Sequence, residues 1–190
     1  MRRFISLAAT LTIASMAQAQ LASSQTPMPM PMPGMEHMQM DHTAHMAAMA
    51  KAQRQSEVAE RGPEVMPFSL AQTLHIFTKD AEGGVQQVVA RDKADAKQTA
   101  LVRQHLKDIR AQFLEGDFSG PSHVHGARMP GLADLKAAKP GQITIDYKDV
   151  KGGAQLAYRT ADPILVAAIH EWFDAQVSDH GKDATAGRMP

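Results

Sequence analysis

The stretch that decides the fold is an eight-residue motif that occurs twice, 69 residues apart: Lys79-Asp80-Ala81-Glu82-Gly83-Gly84-Val85-Gln86 and Lys148-Asp149-Val150-Lys151-Gly152-Gly153-Ala154-Gln155. Apolar residues alternate with polar ones on both sides of each copy, which is the pattern of half-buried strands. The paired glycines can adopt the positive φ that a tight turn between two strands requires. Each copy is therefore predicted to be a β-hairpin.

A helix is predicted after each hairpin. Asp92 or Asp95 would cap the first helix, and Asp162, followed by Pro163 at the first helical position, would start the second. Apolar residues then recur at helical spacing in both segments. The predicted core-facing residues are Val102, Leu106, Ile109 and Phe113 in the first helix and Leu165, Ile169, Trp172, Phe173 and Val177 in the second.

The order of these elements predicts an α+β domain built as a tandem ββα-ββα repeat. Because no segment indicates a parallel connection, the expected arrangement is a four-stranded antiparallel sheet with both helices on one face. The domain is predicted to span residues 65–182, with a short helix at 132–137 in the long loop between the repeats. Residues 183–190 are predicted to be disordered.

The first 19 residues have the features of a secretory signal peptide. Arg2 and Arg3 precede an apolar run from Phe4 to Met16, and Ala17-Gln18-Ala19 fits a small-residue cleavage site. The apolar run is shorter than the roughly 20 residues that span a bilayer, and an uncleaved anchor is the alternative. Cleavage predicts a mature periplasmic protein without a membrane span, carrying 18 basic and 20 acidic side chains.

Residues 20–64 are predicted to form a disordered tail that precedes the domain. The segment is rich in Ser, Pro, Met, Gln and Ala and has almost no aromatic or β-branched residues. It can therefore bury too little apolar surface to offset the entropy of ordering the chain. Between residues 45 and 60 the composition also allows transient helix.

Methionine and histidine are concentrated in one part of this tail. Eight of the 13 methionines and three of the nine histidines fall within residues 28–49. Thioether sulfur is a soft ligand that selects Cu(I) or Ag(I), and imidazole suits copper generally, including Cu(II). A low-complexity linker and an adaptable protein-binding patch are the alternatives. The predicted metal ligands are Met28, Met30, Met32, Met35, His37, Met38, Met40, His42, His45, Met46 and Met49.

Six residues of the domain are candidates for a second metal site. His123 and His125 are two residues apart in the loop between the repeats, so in an extended segment they would share one side, with Met129 nearby. For a histidine on a helix, the alternative is a residue at the core edge that is hydrogen-bonded to the backbone. His180, at the end of the second helix, is expected to interact with the helix dipole. The six candidates are His75, His105, His123, His125, Met129 and His170.

Composition and missing motifs exclude or disfavour several functional classes. The chain has no Cys, which excludes a disulfide, a thiolate zinc site, an iron–sulfur cluster and a Cys nucleophile. A formal net charge of zero and an aromatic content of 5% disfavour nucleic-acid binding. Nucleophile-elbow, P-loop and dinucleotide-binding motifs are missing from the sequence. We therefore expect that the protein is not an enzyme.

Motifs spread over residues 65–182 resemble a family of small bacterial proteins, many of which bear the name aspartate carbamoyltransferase. Carbamoyl transfer requires a phosphate-binding loop at a helix N-terminus, which this sequence lacks, so the resemblance implies a shared fold rather than that reaction. It also directs attention to His75, His125 and His180, which occupy shared positions. The matching segments are Val65-Met66-Pro67-Phe68, Thr73-Leu74-His75 with Phe77, Gly83-Gly84 with Gln86, Val124-His125-Gly126, Met129-Pro130-Gly131-Leu132, Asp162-Pro163 with Leu165-Val166, Trp172-Phe173-Asp174-Ala175-Gln176 and Ser178-Asp179-His180-Gly181.

Two functional hypotheses follow. In the first, the Met/His-rich tail, which resembles segments of periplasmic copper- and silver-resistance proteins, captures copper and contributes to copper tolerance or to handover to a periplasmic copper transporter or oxidase. In the second, the domain binds a small ligand or acts as an enzyme, and the tail is a passive linker. The second hypothesis requires His75, His105, His125 and His170 to converge.

Overall fold

The computed structural model describes the backbone of residues 35–188 and the side chains of residues 41–188. The predicted signal peptide, residues 20–34 of the predicted tail, and residues 189–190 lie outside the described residues. The helices are α1 (Met35–Val65), α2 (Ala96–Leu114), α3 (Ser119–His125), α4 (Leu132–Ala137) and α5 (Pro163–His180). The strands are β1 (Thr73–Asp80), β2 (Gly83–Ala90), β3 (Thr144–Val150), β4 (Gly153–Arg159) and β5 (Ala184–Ala186).

A five-stranded sheet in the order β3-β4-β2-β1-β5 forms the centre of the domain. Strands β1 to β4 pair in antiparallel fashion, with β2 beside β4, so the two hairpins lie side by side. Helices α2 and α5 share one face of the sheet: Phe113 of α2 meets Trp172 of α5 edge to face, and Tyr158 of β4 contacts the same indole. The α+β class is confirmed. The predicted count of four strands, two helices packed on the sheet and one short helix is too small, since residues 35–188 contain five strands and five α-helices.

The fifth strand lies in the C-terminal segment that was expected to be disordered. Strand β5 pairs parallel with β1, with Ala184 opposite His75, and the amide of Gly187 donates to the carbonyl of Phe77. Without β5, β1 would be an edge strand with a row of unpaired backbone groups. Backbone pairing of this kind needs no apolar pattern, which is why the composition of residues 183–190 did not predict it.

The prediction of disorder for residues 20–64 is wrong from Met35 onward, where α1 begins. Helix propensity alone rarely stabilises a helix in water, so tertiary contacts decide. The side chain of Val58 is only 1% exposed. Gly62 lies so close to Leu70 that a Cβ at this glycine would be 2.7 Å from the Leu70 Cδ1 atom. Only a few residues of α1 make these contacts, so the amino-acid composition of the segment does not reveal that it can pack against the domain. Of the helices within residues 35–188, none is both long and apolar enough to cross a membrane.

The two copies of the repeated motif place their turns one residue apart. Asp80 pairs with Gly83 in the first hairpin, whereas Val150 pairs with Gly153 in the second, which leaves Gly152 in the turn at φ +78°. Because side chains alternate across a strand, a slip of one residue puts equivalent positions on opposite faces. Gln86 is therefore buried beneath the helices, while the equivalent glutamine of the second copy, Gln155, lies on the other face.

The predicted boundaries and core faces of α2 and α5 are confirmed. Asp95 caps α2 by accepting a hydrogen bond from the amide of Gln98 at 2.9 Å. Asp162 caps α5 through the amide of Ile164, also at 2.9 Å. The short helix α4 coincides with the predicted residues 132–137. All the predicted core-facing residues of both helices are buried except Val177, which is half-buried.

Candidate functional site

The Met/His-rich segment continues into helix α1. The described side chains of this segment include two histidines and two methionines at positions i, i+3, i+4 and i+7, which lie on one side of a helix. We call this set the donor face: His42, His45, Met46 and Met49. Met28, Met30 and Met32 lie outside the described residues, and only the helical backbone is described at Met35, His37, Met38 and Met40.

The donor face is fully open to solvent. All four side chains are exposed, including 55% of Met46 and 58% of Met49. His42 and Met46, like His45 and Met49, are four residues apart, which places their Cβ atoms about 5–6 Å from each other. Each pair can therefore direct one imidazole nitrogen and one thioether sulfur at a single ion.

Helix α1 is fixed to the domain a short distance beyond the donor face. The Arg54 guanidinium donates to the carboxylate of Asp179 at 2.8 Å and also to the carbonyl oxygen of His125. Less than two turns beyond the donor face, the Gln55 amide donates to the carbonyl oxygen of Ser178 at 2.8 Å. These bonds join α1 to α3 and to the last turn of α5.

A second candidate site is a cavity of about 50 Å³ between the sheet and helices α2, α3 and α5, with the end of α1 at its side. A volume of this size holds a few water molecules at most, or one very small organic molecule. Four histidines from four different elements line it, and we call it the histidine cavity. The histidines are His75, His105, His125 and His180, and the other lining residues include Gln86, Gln176, Trp172, Val88, Ile109, Phe113, Val65 and Gly120.

Three of the four imidazoles are in contact, and burial keeps the buried rings neutral. His75 and His180 stack with their ring centroids 4.9 Å apart, and His125 meets His180 edge to face at 5.0 Å. Burial lowers the pKa of His75 to about 4 and that of His105 to about 4, and it lowers the pKa of His180 well below its usual value. At pH 7 the rings of His75, His105 and His180 are therefore neutral, and each offers one N–H donor and one nitrogen lone pair.

Asp179 connects the cavity to α1. Burial by itself would favour the protonated acid, but hydrogen bonds from His125 and Arg54 and the positive charge of the Arg54 guanidinium lower the pKa of Asp179 to about 2. As a carboxylate, Asp179 accepts a hydrogen bond from His125 Nδ1 at 2.8 Å. In the neutral ring this leaves the lone pair on Nε2, and a carboxylate-held imidazole of this kind can accept a proton or a hydrogen bond from a ligand.

Two buried nitrogens at the cavity have no hydrogen-bond partner within residues 41–188: Nδ1 of His75 and Nε1 of Trp172. His75 is only 3% exposed and Trp172 only 1%. Gln86 is better satisfied, because its Oε1 accepts a hydrogen bond from the Tyr158 hydroxyl at 2.8 Å and leaves the amide nitrogen as a donor. Unpartnered buried polar atoms are rare in folded proteins and indicate a bound molecule or water.

The structure brings together three of the six residues predicted for a second metal site, namely His75, His105 and His125. The expectation that His123 shares a side with His125 is wrong, because the segment is helical and residues two apart on a helix point in different directions. His123 is exposed instead and pairs with the carboxylate of Glu64 at 2.8 Å.

Met129 and His170, the other two predicted ligands, also lie away from the cavity. Met129 is buried in the hydrophobic core. The His170 Nε2 atom donates to the carbonyl oxygens of Asp80 and Gly83, at 3.0 and 2.8 Å. This is the backbone-bonded role that the sequence analysis gave as the alternative for a helix histidine.

His180 was missed as a site residue because its place at the end of α5 predicted an interaction with the helix dipole. It lines the cavity and contacts two of the other imidazoles. The three positions that the family resemblance indicated, His75, His125 and His180, are the three rings that touch. Arg54 carried no sequence signal, and Asp179 stood only within the shared segment at 178–181 with no role indicated, because the partners of both residues are far away in the chain.

Among the side chains of residues 41–188, no group of three or more His, Cys, Asp or Glu is arranged to hold a metal ion. A metal site on the donor face would instead use sulfur together with imidazole. Comparison of this chain with protein-family models, curated proteins and solved structures gives no match. Function is therefore inferred from the geometry and chemistry of the two sites.

Proposed function

We propose that the protein binds Cu(I), with Ag(I) as the alternative ion, through residues 28–49, and that the donor face is part of the binding site. The observation that carries the proposal is the solvent exposure of two methionines and two histidines on one side of α1. Exposed thioethers add nothing to a hydrophobic core, whereas sulfur and imidazole together are a donor set suited to Cu(I).

The spacing of the donors supports a site of low coordination number. His42 with Met46 and His45 with Met49 each supply one nitrogen and one sulfur from adjacent turns. A thioether has no proton to lose, so binding through sulfur does not compete with protons, whereas an imidazole must be neutral to bind. Zn(II) favours harder donors and, unlike Cu(I), has no preference for thioethers, so we expect it to bind weakly.

The predicted signal peptide places this site in the periplasm, where the protein would act as a copper-binding component of metal tolerance or of handover to a transporter or oxidase. Eleven donors within 22 residues keep the local donor concentration high. An ion can then move from one donor pair to the next, and finally to a partner, without passing through a free state.

The direct test is a Cu(I) competition titration with a chromophoric chelator, using the chain without residues 1–19. The variant H42Q/H45Q/M46L/M49L removes the donors of the donor face, and we expect its Cu(I) affinity to fall by at least about tenfold, since one ligand set is lost. The control H123Q/M129L changes the same residue types outside the segment and should bind Cu(I) like the wild type. Equal affinities for all three proteins would contradict the proposal.

Two further measurements separate soft-metal binding from general metal binding. A Zn(II) titration of the same protein should show much weaker binding than Cu(I) does, and equal binding would overturn the argument from donor softness. In cells, deletion of residues 28–49 should lower copper tolerance, whereas the H123Q/M129L control should not. Unchanged tolerance after the deletion would leave the passive-linker hypothesis as the better account.

A further inference from the structure

We propose that the histidine cavity is a binding site for a small uncharged molecule that carries a hydrogen-bond acceptor next to an apolar group. This inference is independent of copper binding, because none of the donor-face residues lines the cavity. It begins from two buried nitrogens that have no partner in the described part of the chain, His75 Nδ1 and Trp172 Nε1.

The requirement for an acceptor comes from Trp172. An indole N–H can only donate, so the group that satisfies it must carry a lone pair. The Gln86 amide nitrogen is a second donor at the cavity, since the oxygen of that side chain is already bonded to Tyr158. Asp179 holds His125 through Nδ1, so Nε2 of this lining residue is the ring atom that can exchange a hydrogen bond with the ligand.

The requirement for an uncharged ligand comes from the charges around the cavity. Asp179 is already paired with Arg54, and burial lowers the pKa values of His75 and His180, so their rings are neutral. A buried ion would find no free counter-charge among these residues and would lose its hydration without compensation. A neutral dipole loses much less on transfer from water.

The apolar requirement and the size limit come from the remaining walls. Val88, Ile109 and Phe113 form the apolar part of the lining and offer no hydrogen bonds. A volume of about 50 Å³ limits the ligand to a few non-hydrogen atoms. The half-buried lining residues Val65 and Gly120, where α1 meets α3, mark the side nearest to solvent.

The test uses Trp172, the single tryptophan of the chain, as the reporter. Acetamide has four non-hydrogen atoms, a carbonyl acceptor and a methyl group, and acetate is its charged counterpart of equal size. We expect acetamide to change the Trp172 emission saturably, with a midpoint of about 1–10 mM, and to raise the unfolding temperature. Acetate at the same concentrations and pH 7.5 should produce neither effect.

Variants of the cavity establish where acetamide binds. His75→Phe keeps a ring but removes both nitrogens, and it should weaken acetamide binding by at least about tenfold. Gln176→Met is a second cavity variant with a similar volume, and it decides the matter if His75→Phe does not fold by circular dichroism. His123→Gln and the donor-face variant H42Q/H45Q/M46L/M49L lie outside the cavity and should bind acetamide like the wild type.

Several results would overturn the inference. A linear emission change that is the same for acetamide and acetate would mean that the cavity holds only water. Undiminished saturable binding in both His75→Phe and Gln176→Met would place the ligand elsewhere. Because the donor-face variant enters the experiment only as a control, failure here would leave the copper proposal standing, and failure of that proposal would leave this one standing.

Discussion

The exposed histidines of α1 and the buried histidines of the domain show how one residue type takes two chemical roles. His42 and His45 are open to solvent beside methionines four residues away. His75 and His180 stack on each other inside the protein, where burial lowers their pKa values. The first pair can move to meet a metal ion, whereas the second pair is held neutral in fixed positions. Environment, rather than residue identity, therefore separates the two candidate sites.

The strongest way to test this contrast is to lower the pH. The pKa of His75 is about 4 in the folded protein, below the ordinary value of about 6.5 that it regains on unfolding. As the pH falls below about 6.5 the unfolded chain takes up a proton before the folded one, so stability is complete above that pH and declines towards pH 4. His75 and His105 should each contribute a loss of about 3 kcal/mol.

The measurement is urea unfolding at several pH values between 7.5 and 4. The donor-face substitutions H42Q/H45Q serve as the control, because they should leave the shape of the stability–pH curve unchanged. A flat curve between pH 7 and pH 5 would show that the cavity histidines take up protons equally in the folded and unfolded states, and it would remove the contrast.

A smaller effect is expected when the carboxylate beside the buried histidines is removed. Asp179→Asn takes away the charge that holds His125 and Arg54, and we expect the free energy of unfolding to fall by about 2 kcal/mol. Asp174→Asn, on the exposed side of α5, removes a surface ion pair with Lys79 and should cost no more than about 0.5 kcal/mol. Similar losses in the two variants, measured by chemical denaturation, would argue against a structural role for the Asp179 carboxylate.

The smallest effect on stability is expected on the donor face itself. H42Q/H45Q changes two exposed side chains, so the free energy of unfolding in the absence of metal should stay within about 0.5 kcal/mol of the wild type. The same variant should nevertheless weaken Cu(I) binding. A large loss of stability without metal would show that these histidines have a packing role, and the assignment of the donor face to metal binding would fail.

The parts of the fold that depend on local pattern could be predicted, and those that depend on long-range pairing could not. Caps such as Asp95 and Asp162 act on the adjacent turn, so sequence reveals them. The turn slip between the hairpins is different, because a Gly-Gly pair fits either register and only the packing of the two sheet faces selects one. The position of strand β5 likewise depends on long-range pairing, because β5 forms along the free edge of β1.

The histidine cavity also depends on long-range packing, so the sequence alone could not predict it. His75, His105 and His125 come from a strand and two helices, 20 or more residues apart, and residue type alone could not show that they converge while His170 bonds to the backbone. The assignment of His123 failed for a more specific reason. A loop rich in Gly and Pro favours extended chain, but seven of its residues form helix α3, which points the two histidines in different directions.

The helical form of α1 changes how a metal-loaded protein would meet a partner. A helix rises about 1.5 Å per residue, so the donor face stands about 8–18 Å along the axis beyond Arg54, whose bonds to α3 and α5 hold that end. A bound ion would then lie at a fixed distance and orientation relative to the domain. On a flexible tether it could instead occupy any position within reach of the chain. An acceptor protein would need a surface complementary to α1 and to the adjoining part of the domain. Shape complementarity, and not only affinity for the metal, would therefore determine whether the ion is transferred.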